Sequence, residues 1–413
     1  MESPLPKIVT SSRRKLLIIN TFLNWGSTGR IAEQIGVLAK SDGWDVYFAY
    51  GRNSNPSQLS CHRSSDKLDI YIHYFKHRIL DADGLSSNRS TRNLIHFIKE
   101  LHPDIIHIHN IHGHWLNFEM LFSFLSSERI PIVWTLHDCW SFTGGCGHFT
   151  RLNCMKWESG CNHCILRRGF FPLIDKSGEK YLIKRKLTME LRSLTIVTVS
   201  NWLAKMAKAS FLATHPILTI YNGIDVSIFK PTINEYKKKH GLEKKRMLLG
   251  VSTDWTVSKG LNDYARLSEL LPDDMCIVMV GITKKQAKRM PSRIYCIPRT
   301  QNIMELVTLY SSADIVLNLS YEESFGLTTV EGFACGTPSI VYNSTASPEL
   351  ISPETGFIVE PGDVHGVLNA ALTIIKKGKN EYSCQCRERA VKFFNMKDQY
   401  QKYIDLFNQV VIS

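Results

Sequence analysis

Short apolar runs recur along this chain, spaced so that a helix-patterned segment fits between one run and the next. In the first half they are Lys15–Asn20, Trp44–Tyr50, Ile105–His109, Ile132–Leu136 and Leu194–Val199. A second series follows as Met247–Val251, Cys276–Val280, Ile315–Leu319, Ser339–Tyr342 and Gly356–Val359. A run of about five apolar residues bounded by turns reads as a strand buried on both faces, and such strands belong to parallel sheets covered by helices. The intervening segments supply those helices: Arg30–Lys40, Leu94–Leu101, Leu116–Ser126, Asn201 onward, Val364–Ile375 and Asp398–Val411. The pattern predicts an α/β chain with two doubly wound sheets. Ligands of such sheets collect at the carboxyl ends of the strands.

The expected boundaries put an N-terminal domain at 1–220, a second domain at 221–395 and a closing helix at 396–413 that crosses back toward the first. Asn222-Gly223 marks the turn between them. At 413 residues the chain is long enough for both domains, and no run of about 18–20 apolar residues predicts a membrane span. Met1–Pro6 lacks the apolar core of a secretory leader, so the eleven cysteines are expected as reduced thiols in a cytoplasmic protein. The net charge of +12 suits phosphorylated ligands or an anionic membrane face. No nucleic-acid-binding motif accompanies it.

One stretch carries the chemistry. Tyr321–Pro338 follows an apolar run, passes Gly326, and reads as a helix stopped by Gly336 and Pro338. A helix start presents unpaired N–H groups and a positive dipole end, a site for phosphate. Glu323 lies before that helix and Glu331 within it, with seven residues between. Two carboxylates beside a phosphate cradle are suited to accept hydrogen bonds from hydroxyls on either side of it.

This spacing, with Phe325-Gly326-Leu327 inside it and Ala334–Pro338 after it, closely resembles the donor signature of the large retaining glycosyltransferase family 4. The resemblance implies the GT-B fold, two Rossmann-like domains facing across a cleft. It also implies a nucleotide-diphospho-sugar donor, a UDP- or GDP-sugar, with no catalytic cofactor. By that resemblance Glu323 binds the donor sugar's hydroxyls and Glu331 the ribose. The backbone from Phe325 through Gly326, Leu327 and Thr328 holds the diphosphate.

Further positions match in family order. Lys259, before Gly260, resembles the phosphate-binding lysine; His137, at a strand end, the histidine near the reacting sugar carbon; and Gly29, the glycine loop that lets ligand approach. The family commonly adds an arginine after the strand preceding the lysine. Here Gly250–Trp255 contains none, which leaves Arg30 and Arg299 as candidates for a second cation.

Three groups stand outside the signature. The insert 139–165 contains Cys146, Cys154, Cys161 and Cys164, which read either as a structural zinc site or as free thiols in a folded loop. Few apolar anchors are evident there. His107, His109, His112 and His114 cluster in sequence, but no carboxylate or cysteine beside them completes a ligand set, so their expected role is lining an acceptor cleft. Arg167–Pro172 and Lys184–Lys186 join basic and aromatic residues in a patch suited to an anionic lipid surface.

The His137–Gly144 run with its clustered cysteines resembles the exopolysaccharide, colanic-acid-type and O-antigen assembly subgroup. The expectation is a retaining, metal-independent hexosyltransferase acting on a lipid-linked oligosaccharide, peripheral at the inner face of the plasma membrane. A catalytically silent scaffold of the same fold and a nucleotide-sugar epimerase are the alternatives. A zinc-dependent hydrolase is disfavoured, because four thiolates would saturate the metal.

Overall fold

The computed structural model describes residues 13–166 and 174–412. One parallel sheet holds β1 (Lys15–Asn20), β2 (Asp45–Tyr50), β3 (Ser60–Arg63), β4 (Ile105–Ile108), β5 (Ile132–Leu136), β6 (Leu194–Thr198) and β7 (Ile217–Thr219), in the order β3-β2-β1-β4-β5-β6-β7. The other holds β8 (Arg246–Val251), β9 (Met275–Val280), β10 (Ile294–Ile297), β11 (Ile315–Asn318), β12 (Ser339–Tyr342) and β13 (Gly356–Val359), in the order β10-β9-β8-β11-β12-β13. The two doubly wound sheets match the architecture expected from the apolar runs.

The central strands are apolar along their length because helices cover both faces of each sheet. Leu16 to Ile19, Met247 to Leu249 and Ile315 to Val316 are fully buried. In each sheet the strand order turns outward in both directions from one pair, β1/β4 in the first and β8/β11 in the second. The loops leaving such a pair diverge to opposite faces and open a crevice where ligands bind.

Two compact units divide the chain. One takes in the described residues of 1–135, 162–196 and 403–413, the other 136–161 and 197–402. The closing helix Met396–Ile412 begins in the second and ends in the first. Among the described residues no helix is long and apolar enough to cross a membrane.

Candidate active site

The helix Leu327–Ala334 starts directly after the loop leaving β11, and the helix Leu261–Leu270 after the loop leaving β8. Two helix N-termini therefore open at the switch point of the second sheet. Each contributes first-turn N–H groups that have no intrahelical acceptor. Both starts need a left-handed residue, and both have glycine: Gly260 at φ +73° and Gly326 at φ +103°. Gly260 is constrained further, because a Cβ there would lie 2.2 Å from the Leu319 carbonyl oxygen. The β8 and β11 loops thus touch at backbone level, and the Tyr321 N–H donates to the Ser258 carbonyl at 2.8 Å.

That contact brings two of the sequence-derived residues together. Lys259 Nζ donates to Glu323 Oε1 at 2.6 Å, and Ser320 Oγ donates to the same oxygen at 3.1 Å. The Glu323 N–H is in turn fixed on Thr345 Oγ1 at 2.8 Å. With its side chain 32% exposed, Lys259 is held by the carboxylate while its ammonium still faces solvent. Glu331, in the second turn of its helix, accepts from Tyr310 OH at 2.7 Å. Burial, reinforced by the Glu331 carboxylate, pushes the Tyr310 phenol far above its ordinary range, so it stays a donor.

Leu327 and Thr328 are the first two residues of the helix, at its partly exposed mouth. Phe325 is different: its ring is buried against Tyr221 and Phe394, at centroid distances of 6.0 and 5.8 Å. Only its backbone can face a ligand. The side chain anchors the loop.

Several residues of the site carry no motif of their own. Tyr321 OH donates to Asp263 Oδ2 at 2.8 Å. Burial and this carboxylate push the Tyr321 phenol up to about 12, opposed by the charges of Arg266 and Arg151. Arg151 comes from the cysteine-bearing insert, and its N–H donates to Glu322 Oε1 at 3.0 Å. The insert therefore rests against the loop of Glu322 and Glu323. Asp263 was findable, being four residues beyond Lys259; Arg151 had no local signal.

The remaining expectations fare unevenly. His137 is buried directly after β5. Gly29 lies inside the helix Gly26–Ser41, which starts earlier than its pattern suggested; a Cβ there would meet the Phe22 carbonyl oxygen at 2.9 Å. The Phe22 loop thus packs closely on the backbone at this glycine. Arg30 donates to the Gly26 carbonyl, and Arg299 is exposed beyond β10.

Among the described residues Cys146, Cys154, Cys161 and Cys164 form no disulfide, and no three of their sulfurs lie within 4.8 Å of one another. The insert has an aromatic core that its polar composition concealed. Trp157 is 1% exposed and packs on Phe142 and Phe149, at 5.4 and 5.1 Å.

His107 and His109 do not line a cleft. Both are buried in the first unit, where the His107 ring packs on Tyr403 and Phe407 and its Nε2 pairs with Thr135 Oγ1 at 2.8 Å. A central strand covered on both faces leaves no residue facing solvent. Of the basic patch, Arg167–Pro172 lies outside the described residues. Lys184 is buried, its ammonium over the Phe118 ring, while Arg185 and Lys186 are exposed.

A crevice between two helix starts holds one lysine and two oriented carboxylates, a chemistry suited to a phosphorylated, hydroxyl-bearing ligand. Residues 29–228 match the family described as Glycosyltransferase Family 4, and residues 232–393 match Glycosyl transferases group 1. The chain belongs to this glycosyltransferase family and has its GT-B fold.

Among curated relatives, N-acetyl-alpha-D-glucosaminyl L-malate synthase of Bacillus anthracis is 25% identical over 66% of this chain and 65% of its own length. A putative colanic acid biosynthesis glycosyl transferase, WcaC of Escherichia coli, is 27% identical over 51% of this chain and 55% of its own. The chain thus spans under two thirds of these relatives. The structure of Anabaena Alr3699/HepE in complex with UDP and glucose superposes with a TM-score of 0.68 at 14% identity, covering 96% of this chain and all of that one. At that identity the likeness concerns the fold.

Proposed function

We propose that the chain is a retaining glycosyltransferase moving a sugar from a nucleotide-diphospho-sugar to a lipid-linked bacterial surface oligosaccharide. The ion pair of Lys259 with Glu323 at a helix start, with seven residues between Glu323 and Glu331, carries this reading. In this reading one cation and a row of amides take the leaving diphosphate, with a hydroxyl acceptor on either side.

In this reading the sugar hydroxyls bind Glu323 and the ribose binds Glu331. Amides of Gly326 to Thr328, together with Lys259, take the charge that grows as the bond between the anomeric carbon and the phosphate oxygen breaks. His137 contacts the sugar. The acceptor oxygen bonds to the same carbon from the face the diphosphate leaves, and its proton passes to a phosphate oxygen. No protein nucleophile and no metal enters any step.

A lipid-borne acceptor accords with the helix Lys67–Leu80, which exposes Leu68, Tyr71, Ile72, Phe75 and Ile79 beside Lys67, Lys76 and Arg78. Such a face suits an anionic bilayer surface. Loss of flotation with anionic liposomes on Phe75→Ser would support it; no flotation of the wild type at low salt would end it.

The deciding experiment assays UDP and GDP release from a panel of UDP- and GDP-sugars, with and without extracted lipid acceptor. Acceptor-dependent release that Glu331→Ala abolishes supports the transferase. Donor epimerisation without acceptor would replace it with the epimerase. The absence of an arginine in Gly250–Trp255 favours a silent scaffold as the second reading, and that reading requires donor binding without turnover under every acceptor.

A further inference from the structure

The helix Lys67–Leu80 is amphipathic in the wrong sense. Leu68, Tyr71, Ile72, Phe75 and Ile79 form a stripe at helical spacing that faces solvent, while its only buried residue is His73. Apolar burial therefore does not hold this helix to its unit. What it meets on the inner side is a polar cluster.

His73 Nε2 lies 3.9 Å from Asp83 Oδ1, and His114 Nδ1 lies 3.0 Å from the same oxygen. The three donor atoms are all within 4.8 Å of one another. Asp83 is only 8% exposed. Its Oδ1 and the His114 Nδ1 are shielded from water and pair at 3.0 Å, with no further hydrogen-bond partner for either among the described residues. A carboxylate oxygen and two ring nitrogens buried around one point are costly to desolvate, and a cation bound between them would satisfy their lone pairs.

We propose that His73, Asp83 and His114 bind a divalent transition metal of the zinc class. A tetrahedral ion with bonds of about 2.0–2.1 Å sets its ligands about 3.4 Å apart, so the His73–Asp83 pair at 3.9 Å would close by about half an ångström and the His114–Asp83 pair at 3.0 Å would open by about as much. Two imidazoles and one carboxylate suit such an ion and leave a coordination position open. The outer contacts are in place too. Ser87 Oγ pairs with His73 Nδ1 at 2.8 Å, fixing the ring so that Nε2 points into the cluster. The Gly84 N–H, 3.2 Å from that Nε2, makes a long hydrogen bond that the metal would replace. Sequence reading rejected a metal at the 107–114 histidines for want of a carboxylate. The fold supplies Asp83, 31 positions upstream of His114, and His73 from the helix. The metal would pin the helix and the loop after β4 together.

The test is titration of the purified, chelator-stripped full chain with Co²⁺, followed by its visible absorption, and with Zn²⁺ by calorimetry. One equivalent is expected, with a spectrum free of thiolate-to-cobalt charge transfer. His114→Ala and Asp83→Asn should abolish it with the fold intact by circular dichroism, Ser87→Ala should weaken it by about 10- to 100-fold, and serine at Cys146, Cys154, Cys161 and Cys164 should leave it unchanged. Absence of binding, a thiolate band in the wild type, or binding that survives Asp83→Asn overturns the proposal.

Discussion

Gly260→Ala separates two consequences of one backbone contact. Gly260 and Gly241 both hold left-handed conformations, at φ +73° and +65°. A Cβ at Gly241 meets nothing within 4 Å, whereas at Gly260 it would lie 2.2 Å from the Leu319 carbonyl oxygen. Alanine in the left-handed region costs about 1–2 kcal/mol. Gly241→Ala should lose that much and no more. At Gly260 the loops must also part by about 1 Å, which adds about 1–3 kcal/mol by analogy with overpacked interiors.

That displacement falls between Lys259 and the Ser320–Glu323 loop, whose side chains are paired at 2.6 Å. A misplacement of about 1 Å can cost about 100-fold in turnover. Urea denaturation of both variants, beside nucleotide release with a fixed donor, measures both effects. Equal stability and equal turnover for Gly260→Ala and Gly241→Ala would refute the contact and the positioning argued from it.

Lys259→Ala should lower kcat/KM by about 100- to 1,000-fold while costing only about 1 kcal/mol of stability, because the pair is partly exposed; steady-state kinetics with thermal melts checks the split. Trp157→Ala should destabilise by about 3–5 kcal/mol, and serine at the four insert cysteines by far less, with chelator leaving the melting curve of the insert unchanged. Tyr310→Phe removes the donor to Glu331 and should raise the donor KM with a stability loss of about 1 kcal/mol. Lys379, half-buried with its ammonium on the Ser311 and Ala313 carbonyls, has its pKa lowered by burial to about 8. The unfolded chain keeps that proton to about 10.5, so between these values it binds more protons than the folded one. Stability should rise with pH across this window by up to about 3 kcal/mol, and Lys379→Met should flatten the slope.

The apolar runs predicted the interior strands well, because a strand covered on both faces must be apolar throughout. Three of the four edge strands escaped the same reasoning, β13 being the exception. β3, β7 and β10 are short and largely solvent-facing, so Ser60–Arg63 and Ile217–Thr219 have no pattern to detect. The helix Lys67–Leu80 escaped for the opposite reason: its apolar stripe exists but points outward. The insert's aromatic core was masked by the glycine and polar residues around Trp140, Phe142, Phe149 and Trp157.

The sequence by itself determined the class of fold and the identity of the helix-start carboxylates Glu323 and Glu331. Both depend on spacing within one strand–loop–helix unit, where chain connectivity fixes geometry to within a turn. Tertiary structure alone decided that Lys259 grips Glu323, that Arg151 of the insert reaches Glu322, and that Asp83 and His73 meet His114. These pairs are brought together by sheet order and loop packing. Contacts between groups far apart in the chain leave no periodicity behind, so no local reading of residues could have placed them.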